Sequence, residues 1–234
     1  MAGLIAGSFL STLIIRWPDD RSMGGRSACD SCGRSLAWLE LIPLLSYVHQ
    51  RGQCAACATP IDRTHPAIEL SCALAAGAAM AVAPGWIGAT GALFGWMLIT
   101  LAVLDLRHFW LPDRLTLVLA ATGLLAGLAD GSITYADRMI GGVAGFAALW
   151  AIAWTYRKMR GREGLGGGDP KLFGAIGLWL GWQMLPLVLL GASGIGLVAV
   201  LTLMLQGRAV AATMRLPFGT LLAAAAFLAW LLMR

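Results

Sequence analysis

The sequence predicts an all-α polytopic membrane protein with about eight transmembrane helices and a small zinc-ribbon-like cytoplasmic loop. Three observations carry that reading. Hydrophobic residues make up 59% of the chain and charged residues only 12%, against roughly a quarter charged in a soluble globular domain. The apolar residues fall in runs of about 20, the length that crosses a ~30 Å hydrocarbon core. One polar stretch, residues 17–66, interrupts these runs and holds Cys29, Cys32, Cys54 and Cys57.

The spans read as 1–16, 67–83, 86–104, 114–130, 137–156, 170–184, 185–206 and 216–233. With residue 1 outside the cytoplasm, alternate loops fall inside. All of the 17 Lys and Arg residues except Arg138 and Arg234 then lie in or beside the inner loops, as the positive-inside rule requires. The net charge of +5 is therefore a topology signal, which argues against a nucleic-acid partner and for the lipid bilayer. No cleavable signal peptide is expected, because the first charges follow the apolar run instead of preceding it. That run is short, which is compatible with a native start upstream.

In the first span, Gly3 and Gly7 stand at the Gly-x-x-x-Gly spacing that lets helices approach closely in lipid. The polar stretch carries Cys29-x-x-Cys32 and Cys54-x-x-Cys57, close to the zinc-ribbon pattern. Two such turns supply four thiolates to one tetrahedral ion. The orientation puts them in the reducing cytosol, where disulfides rarely persist. The site is then structural, because no coordination position is left for substrate. The fifth cysteine, Cys72, is read as packing. Pro66 and Glu69 open the second span, where an acid in the first turn complements the helix dipole. A functional role for Glu69 stands beside that one. Pro84-Gly85 is an uncharged outer turn, and Trp86, Trp110, Tyr135, Tyr156 and Trp182 read as interface anchors. The many glycines of the later spans suit tight helix packing.

The chemistry points to two loops. Asp105 closes the third span, and an ionisable group at membrane depth is by default a functional-site hypothesis. Asp113 follows Pro112 at a natural N-cap position. Asp169-Pro170 also fits an N-cap followed by proline, but Gly164, Gly166, Gly167 and Gly168 exceed what one cap requires. Glycines there allow unusual backbone angles and close approach of another chain. A protease needs that approach, because an extended peptide must lie beside its acid. Two carboxyl groups sharing a site separate in their readiness to ionise. One then activates water while the other, protonated, donates to the scissile carbonyl. The same residues also fit a transporter that uses Asp105 and Asp169 to bind a cation or relay protons. A scaffold whose zinc ribbon recruits partners is a third reading.

Over nearly its whole length the chain resembles the type IV prepilin peptidase family, a branch of the GxGD aspartyl proteases. Gly7-Ser8-Phe9-Leu10 with Arg16 and Pro18 is similar to the family's N-terminal pattern, and the four cysteines match its tetracysteine loop. Ile42-Pro43-Leu44-Leu45-Ser46, Arg51-Gly52-Gln53-Cys54, and Pro66 with Glu69 follow the pattern. So do Asp105 with Pro112-Asp113, Gly166-Gly167-Gly168-Asp169-Pro170-Lys171 and Pro217-Phe218-Gly219. Ser11-Thr12, His65, Pro170 and Thr220 depart from the family's usual residues.

The resemblance implies a catalytic pair of Asp105 and Asp169, with Gly166, Gly168, Lys171 and Asp113 supporting the substrate loop. It implies structural zinc on Cys29, Cys32, Cys54 and Cys57. The substrates would be the N-terminal segments of prepilins or pseudopilins, cut after the glycine that ends a basic leader. Bifunctional members also methylate the new N-terminus with S-adenosylmethionine. The expected division is a first transmembrane helix (1–16), a tetracysteine methyltransferase-type loop (17–66) and a transmembrane peptidase core (67–234). The expected location is the bacterial inner membrane, N-terminus outside, active site at the cytoplasmic face. Glu40, Asp62, Glu69 and Glu163 are acids available to a basic leader, and Glu69 could alternatively serve the methyl donor.

Overall fold

The computed structural model describes residues 1–162, 164–207 and 216–234. Glu163, Arg208 and Arg215 fall outside them. The described residues form α1 (Ala2–Arg16), α2 (Leu45–His49), α3 (Thr64–Val82), α4 (Trp86–His108), α5 (Asp113–Ala129), α6 (Tyr135–Arg160), α7 (Asp169–Leu180), α8 (Leu185–Leu205) and α9 (Phe218–Leu232). No strand occurs among them; the polar stretch holds only two isolated bridges, Ala28 with Ser35 and Gln53 with Pro60. Four apolar helical stretches are long enough to cross a membrane: Thr64–Val82, Trp86–His108, Tyr135–Arg160 and Trp182–Leu205. The other four predicted spans are helical but shorter, at 15, 17, 12 and 15 residues for α1, α5, α7 and α9.

Packing explains the shortest. Helix α7 is ~18 Å long at 1.5 Å per residue, too short for a bilayer on its own. It stops at Gly181, whose φ of 74° and ψ of 169° leave the helical region. Its sides are almost wholly buried, so it sits among α5, α6, α8 and α9 instead of facing lipid. Trp179 stacks on Phe94 with ring centroids 4.6 Å apart, and its indole N–H donates to Leu119 O at 2.8 Å. The orphan carbonyls at a buried helix end need donors. Arg138 supplies them: its Nη1 donates to Leu178 O, Trp179 O and Gly123 O at 3.0–3.1 Å. Arg138 is 1% exposed and faces Asp130 at 3.6 Å, which also pairs with Arg234.

The small residues of α1 work as their spacing predicts. A Cβ on Gly3 would lie 2.7 Å from Cys72 O, and one on Gly7 would lie 2.5 Å from Glu69 Cα. Two backbones therefore touch where α1 meets α3.

Several boundaries differ from expectation. Helix α3 begins at Thr64, so Glu69 lies beyond the first turn and does not serve the helix dipole. Helix α4 continues to His108, which places Asp105 inside its last turns and not in a loop. Asp113 and Asp169 are each the first helical residue, with Pro112 and Gly168 as N-caps, so neither acid is the cap. Gly164, Gly166, Gly167 and Gly168 all have ordinary negative φ. Space explains two of them: a Cβ on Gly168 would sit 2.7 Å from Leu111 Cβ and one on Gly164 would sit 2.6 Å from Tyr156 Cδ1, whereas one on Gly167 would meet nothing.

Candidate active site and cysteine module

Asp105 is 6% exposed and Asp169 is 4% exposed. They come from opposite helix ends, the C-terminal turns of α4 and the first residue of α7. The two carboxylates are close enough to repel each other electrostatically. Leu111 connects their surroundings, because its side chain fills the space beside both Gly168 and Gly219. Asp169 folds back on its own loop: Oδ2 accepts the Gly166 N–H at 2.9 Å, and the Asp169 N–H donates to Gly166 O at 3.2 Å.

Asp105 is held by the start of α9. Its Oδ2 accepts the Thr220 backbone N–H at 2.8 Å and lies 3.2 Å from the Thr220 hydroxyl. That hydroxyl also donates to Ala102 O at 2.8 Å. Gly219 makes the approach possible, since a Cβ there would lie 3.0 Å from Asp105 Oδ2. Arg107 does not pair with Asp105 but reaches Asp62 at 3.3 Å and the Thr64 hydroxyl. Lys171 Nζ donates to both oxygens of Asp113 at 2.7 and 2.8 Å. That ion pair joins the first turn of α5 to the first turn of α7.

The cysteines form a second centre. The four Sγ atoms of Cys29, Cys32, Cys54 and Cys57 all lie within 4.8 Å of one another, and none is in a disulfide. A Zn–S bond of ~2.3 Å implies S···S separations of ~3.8 Å in a tetrahedron; Cys29 and Cys57 stand at 4.0 Å. The donor set therefore fits a metal ion. The two turns repeat each other's hydrogen bonds. Cys29 N–H donates to Arg34 O and Gly33 N–H to Cys29 O; Cys54 N–H donates to Thr59 O and Ala58 N–H to Cys54 O. Gly33 and Ala58 both have positive φ. Backbone N–H groups of Cys57 and Ala56 face the Cys54 sulfur and bring its thiol down to about 6, and Thr59 lowers Cys57. Thiolate is the metal-binding form.

Of the acids named for a basic leader, Glu40, Asp62 and Glu69 are engaged within the chain, and Glu163 lies outside the described residues. Glu40 pairs with Arg34 at 2.6 Å and accepts the Ala37 N–H, which hold its carboxyl below the usual range. Asp62 pairs with Arg107. Glu69 is buried and accepts the Leu44 N–H at 2.8 Å. Leu44 has a φ of 61°, so Glu69 secures a strained turn of the polar stretch against α1 and α3. Sequence reasoning missed Thr220 and Arg138. Thr220 stands directly after Pro217-Phe218-Gly219, but a backbone N–H leaves no mark in a sequence. An arginine inside an apolar run is the signal that could have found Arg138.

A helical membrane bundle with two buried, mutually repelling carboxylates at one end and a four-thiolate module beside them defines a class: integral-membrane proteins with a paired-aspartate site. Comparison with known proteins narrows it. Residues 1–83 match the bacterial peptidase A24 N-terminal domain, and residues 92–201 match the type IV leader peptidase family. The chain is 39% identical over 254 residues to a prepilin leader peptidase/N-methyltransferase of Aeromonas hydrophila, covering 97% of this chain and 87% of that protein. A protein of the same name from Burkholderia pseudomallei is 39% identical over 255 residues, covering 95% and 80%. One from Pseudomonas aeruginosa is 34% identical over 257 residues, covering 99% and 88%. No solved structure matches the chain. The chain belongs to the type IV leader peptidase family.

Proposed function

We propose that the chain is a membrane-embedded aspartyl endopeptidase that removes the leader of type IV prepilins or pseudopilins and methylates the new N-terminus. The observation that carries the reading is the pairing of Asp105 with Asp169, both buried, with the charge of Asp105 acting on Asp169. Like charges so placed keep one proton between them, which is the state acid–base hydrolysis needs. The ionised carboxylate takes a proton from water as the water oxygen adds to the scissile carbonyl. The protonated carboxyl gives its proton to the carbonyl oxygen. Collapse of the tetrahedral intermediate breaks the C–N bond as the first carboxyl gives its proton to the departing amine and the second takes one back from the gem-diol, leaving a carboxylic acid and the pair with its single proton. Gly168 lets the loop of Asp169 close against Leu111, Gly166 leaves room for the Asp169 carboxylate, and the Lys171–Asp113 pair ties together the starts of α5 and α7.

The positive-inside distribution supports an inner-membrane protein with eight spans, its N-terminus outside and this site at the cytoplasmic face. A prepilin, anchored by an apolar helix with its basic leader in the cytosol, would present its cleavage point there. The division into 1–16, 17–66 and 67–234 follows the chemistry: anchor, cysteine module, peptidase core. Cys29, Cys32, Cys54 and Cys57 would hold one structural zinc, which organises a stretch too small to build its own core. S-adenosylmethionine would supply the methyl group. Glu69, turned toward Leu44, serves the fold of the polar stretch. Family membership leaves the transport and scaffold readings without an observation in their favour.

The test is mass spectrometry of a prepilin co-expressed with each variant. Asp105→Asn and Asp169→Asn should each abolish leader removal while the protein stays in the membrane; Asp113→Asn should only slow it. Normal processing by either of the first two variants would overturn the assignment.

A further inference from the structure

We propose that Thr220 is a positioning residue that holds Asp105 as the ionised member of the pair, so that Asp105 is the general base and Asp169 carries the shared proton. This rests on the peptidase reading above and adds the division of labour within it.

The two carboxylates differ in the donors aimed at them. Asp105 Oδ2 receives the Thr220 N–H at 2.8 Å and lies 3.2 Å from the Thr220 hydroxyl, whose single hydrogen is shared with Ala102 O at 2.8 Å. Gly219 brings the start of α9 against the same carboxylate, since a Cβ there would lie 3.0 Å from Asp105 Oδ2. Asp169 receives a single donor among the described residues, the Gly166 N–H at 2.9 Å. Donors aimed at a carboxylate favour its charged form, and charge-assisted bonds are roughly twice as strong as neutral ones. With one proton to place, the carboxyl with fewer donors keeps it. The N-terminus of α9 favours the charged form of Asp105 and that of α7 favours the charged form of Asp169, while the C-terminal turns of α4 oppose it at Asp105, so the helix ends do not select Asp105 and the assignment rests on the donors.

Thr220 is built for this use. It lies in the first turn of α9, where backbone N–H groups have no partner within the helix. Its hydroxyl donates to Ala102 O at 2.8 Å, one turn before Asp105 on α4. The side chain thereby pins α9 to the same helix whose carboxylate the backbone binds. Among the described residues Asp105 Oδ1 receives no hydrogen bond, which leaves that oxygen for water.

The experiment measures the pH dependence of cleavage of a purified prepilin by the full-length protein in detergent. Thr220→Pro removes the N–H and the hydroxyl at a first-turn position that proline tolerates. Thr220→Val removes the hydroxyl alone, and Thr220→Ser keeps both groups. A base that has lost donors ionises at higher pH, so the acid-side limb should move up by about one pH unit in Thr220→Pro. The same limb should move less in Thr220→Val and stay in place in Thr220→Ser. A shift confined to the alkaline limb would reverse the two roles. A lower rate with both limbs unmoved in Thr220→Val would make Thr220 merely structural, and that result stands even where Thr220→Pro does not fold. Active Asp105→Asn would sink the peptidase reading itself, an outcome separate from either.

Discussion

Single atoms set the tolerance of the proposed site. Gly219 brings α9 against Asp105 so closely that an added Cβ would meet Leu111 Cδ1 at 2.9 Å and Asp105 Oδ2 at 3.0 Å. The Leu111 methyl can swing aside, but the Asp105 carboxylate, held by Thr220, must also give way. Gly219→Ala should therefore fold, since φ there is ordinary, but displace the carboxylate by a few tenths of an ångström. Sub-ångström misplacement of a reacting group costs rate more than stability. We expect on the order of a tenfold fall in cleavage with unfolding temperature changed by little, read by prepilin turnover and a thermal melt in detergent. Unchanged turnover would show that the Asp105 position has slack.

At the scale of elements, the short central helix was the least legible part of the sequence. Residues 170–184 look like a span because Leu172, Phe173, Ile176, Leu178, Trp179 and Leu180 are apolar all round. Burial inside a bundle and burial in lipid write the same composition. What distinguishes them is the far end, where α7 stops within the fold and its carbonyls fall to Arg138. The basic residue that the charge rule sets aside as an outer exception is thus a buried cap. Arg138→Ala would leave those carbonyls and the Asp130 carboxylate without it. Removing one partner of a buried ion pair costs at most ~3–5 kcal/mol, and Asp130 keeps Arg234, so most of the loss falls on the unpaired carbonyls. We expect a loss of up to that size in detergent unfolding, with Arg138→Lys recovering only part, because an ammonium cannot reproduce the planar fork. A wild-type melt for Arg138→Ala would refute the capping role.

The same limit, that sequence reports residue types but not backbone, runs through the rest of the comparison. The four thiols were legible because Cys-x-x-Cys spacing itself dictates the geometry. The matched hydrogen bonds of the two turns were not, because Gly33 and Ala58 reach the same left-handed backbone from different residues. Asp105 and Asp169 could be named as a pair from their loops. Thr220, which binds Asp105 from 115 positions away, could not.

At the scale of the whole molecule, charge places every loop on a side. The cysteine module, the Asp105–Asp113 connection, residues 164–168 and the end of α6 with Arg157, Lys158 and Arg160 share one end of the bundle. The ion pairs Arg107–Asp62 and Lys171–Asp113 stitch that end together. Exposed pairs of this kind contribute only ~0.2–1 kcal/mol each, so they set geometry more than stability. The opposite end carries the uncharged Pro84-Gly85 turn and the Asp130–Arg138–Arg234 cluster. The basic excess therefore lies on the side of the proposed active site, which the positive-inside rule assigns to the cytoplasm. A secreted-reporter fusion decides the matter: alkaline phosphatase joined after Gly85 should be active, and the same enzyme joined after Arg162 should be inactive. The reverse pattern would put the paired aspartates outside the cell, where the basic leader of an unprocessed prepilin does not reach, and the leader-cleavage proposal would fail with it.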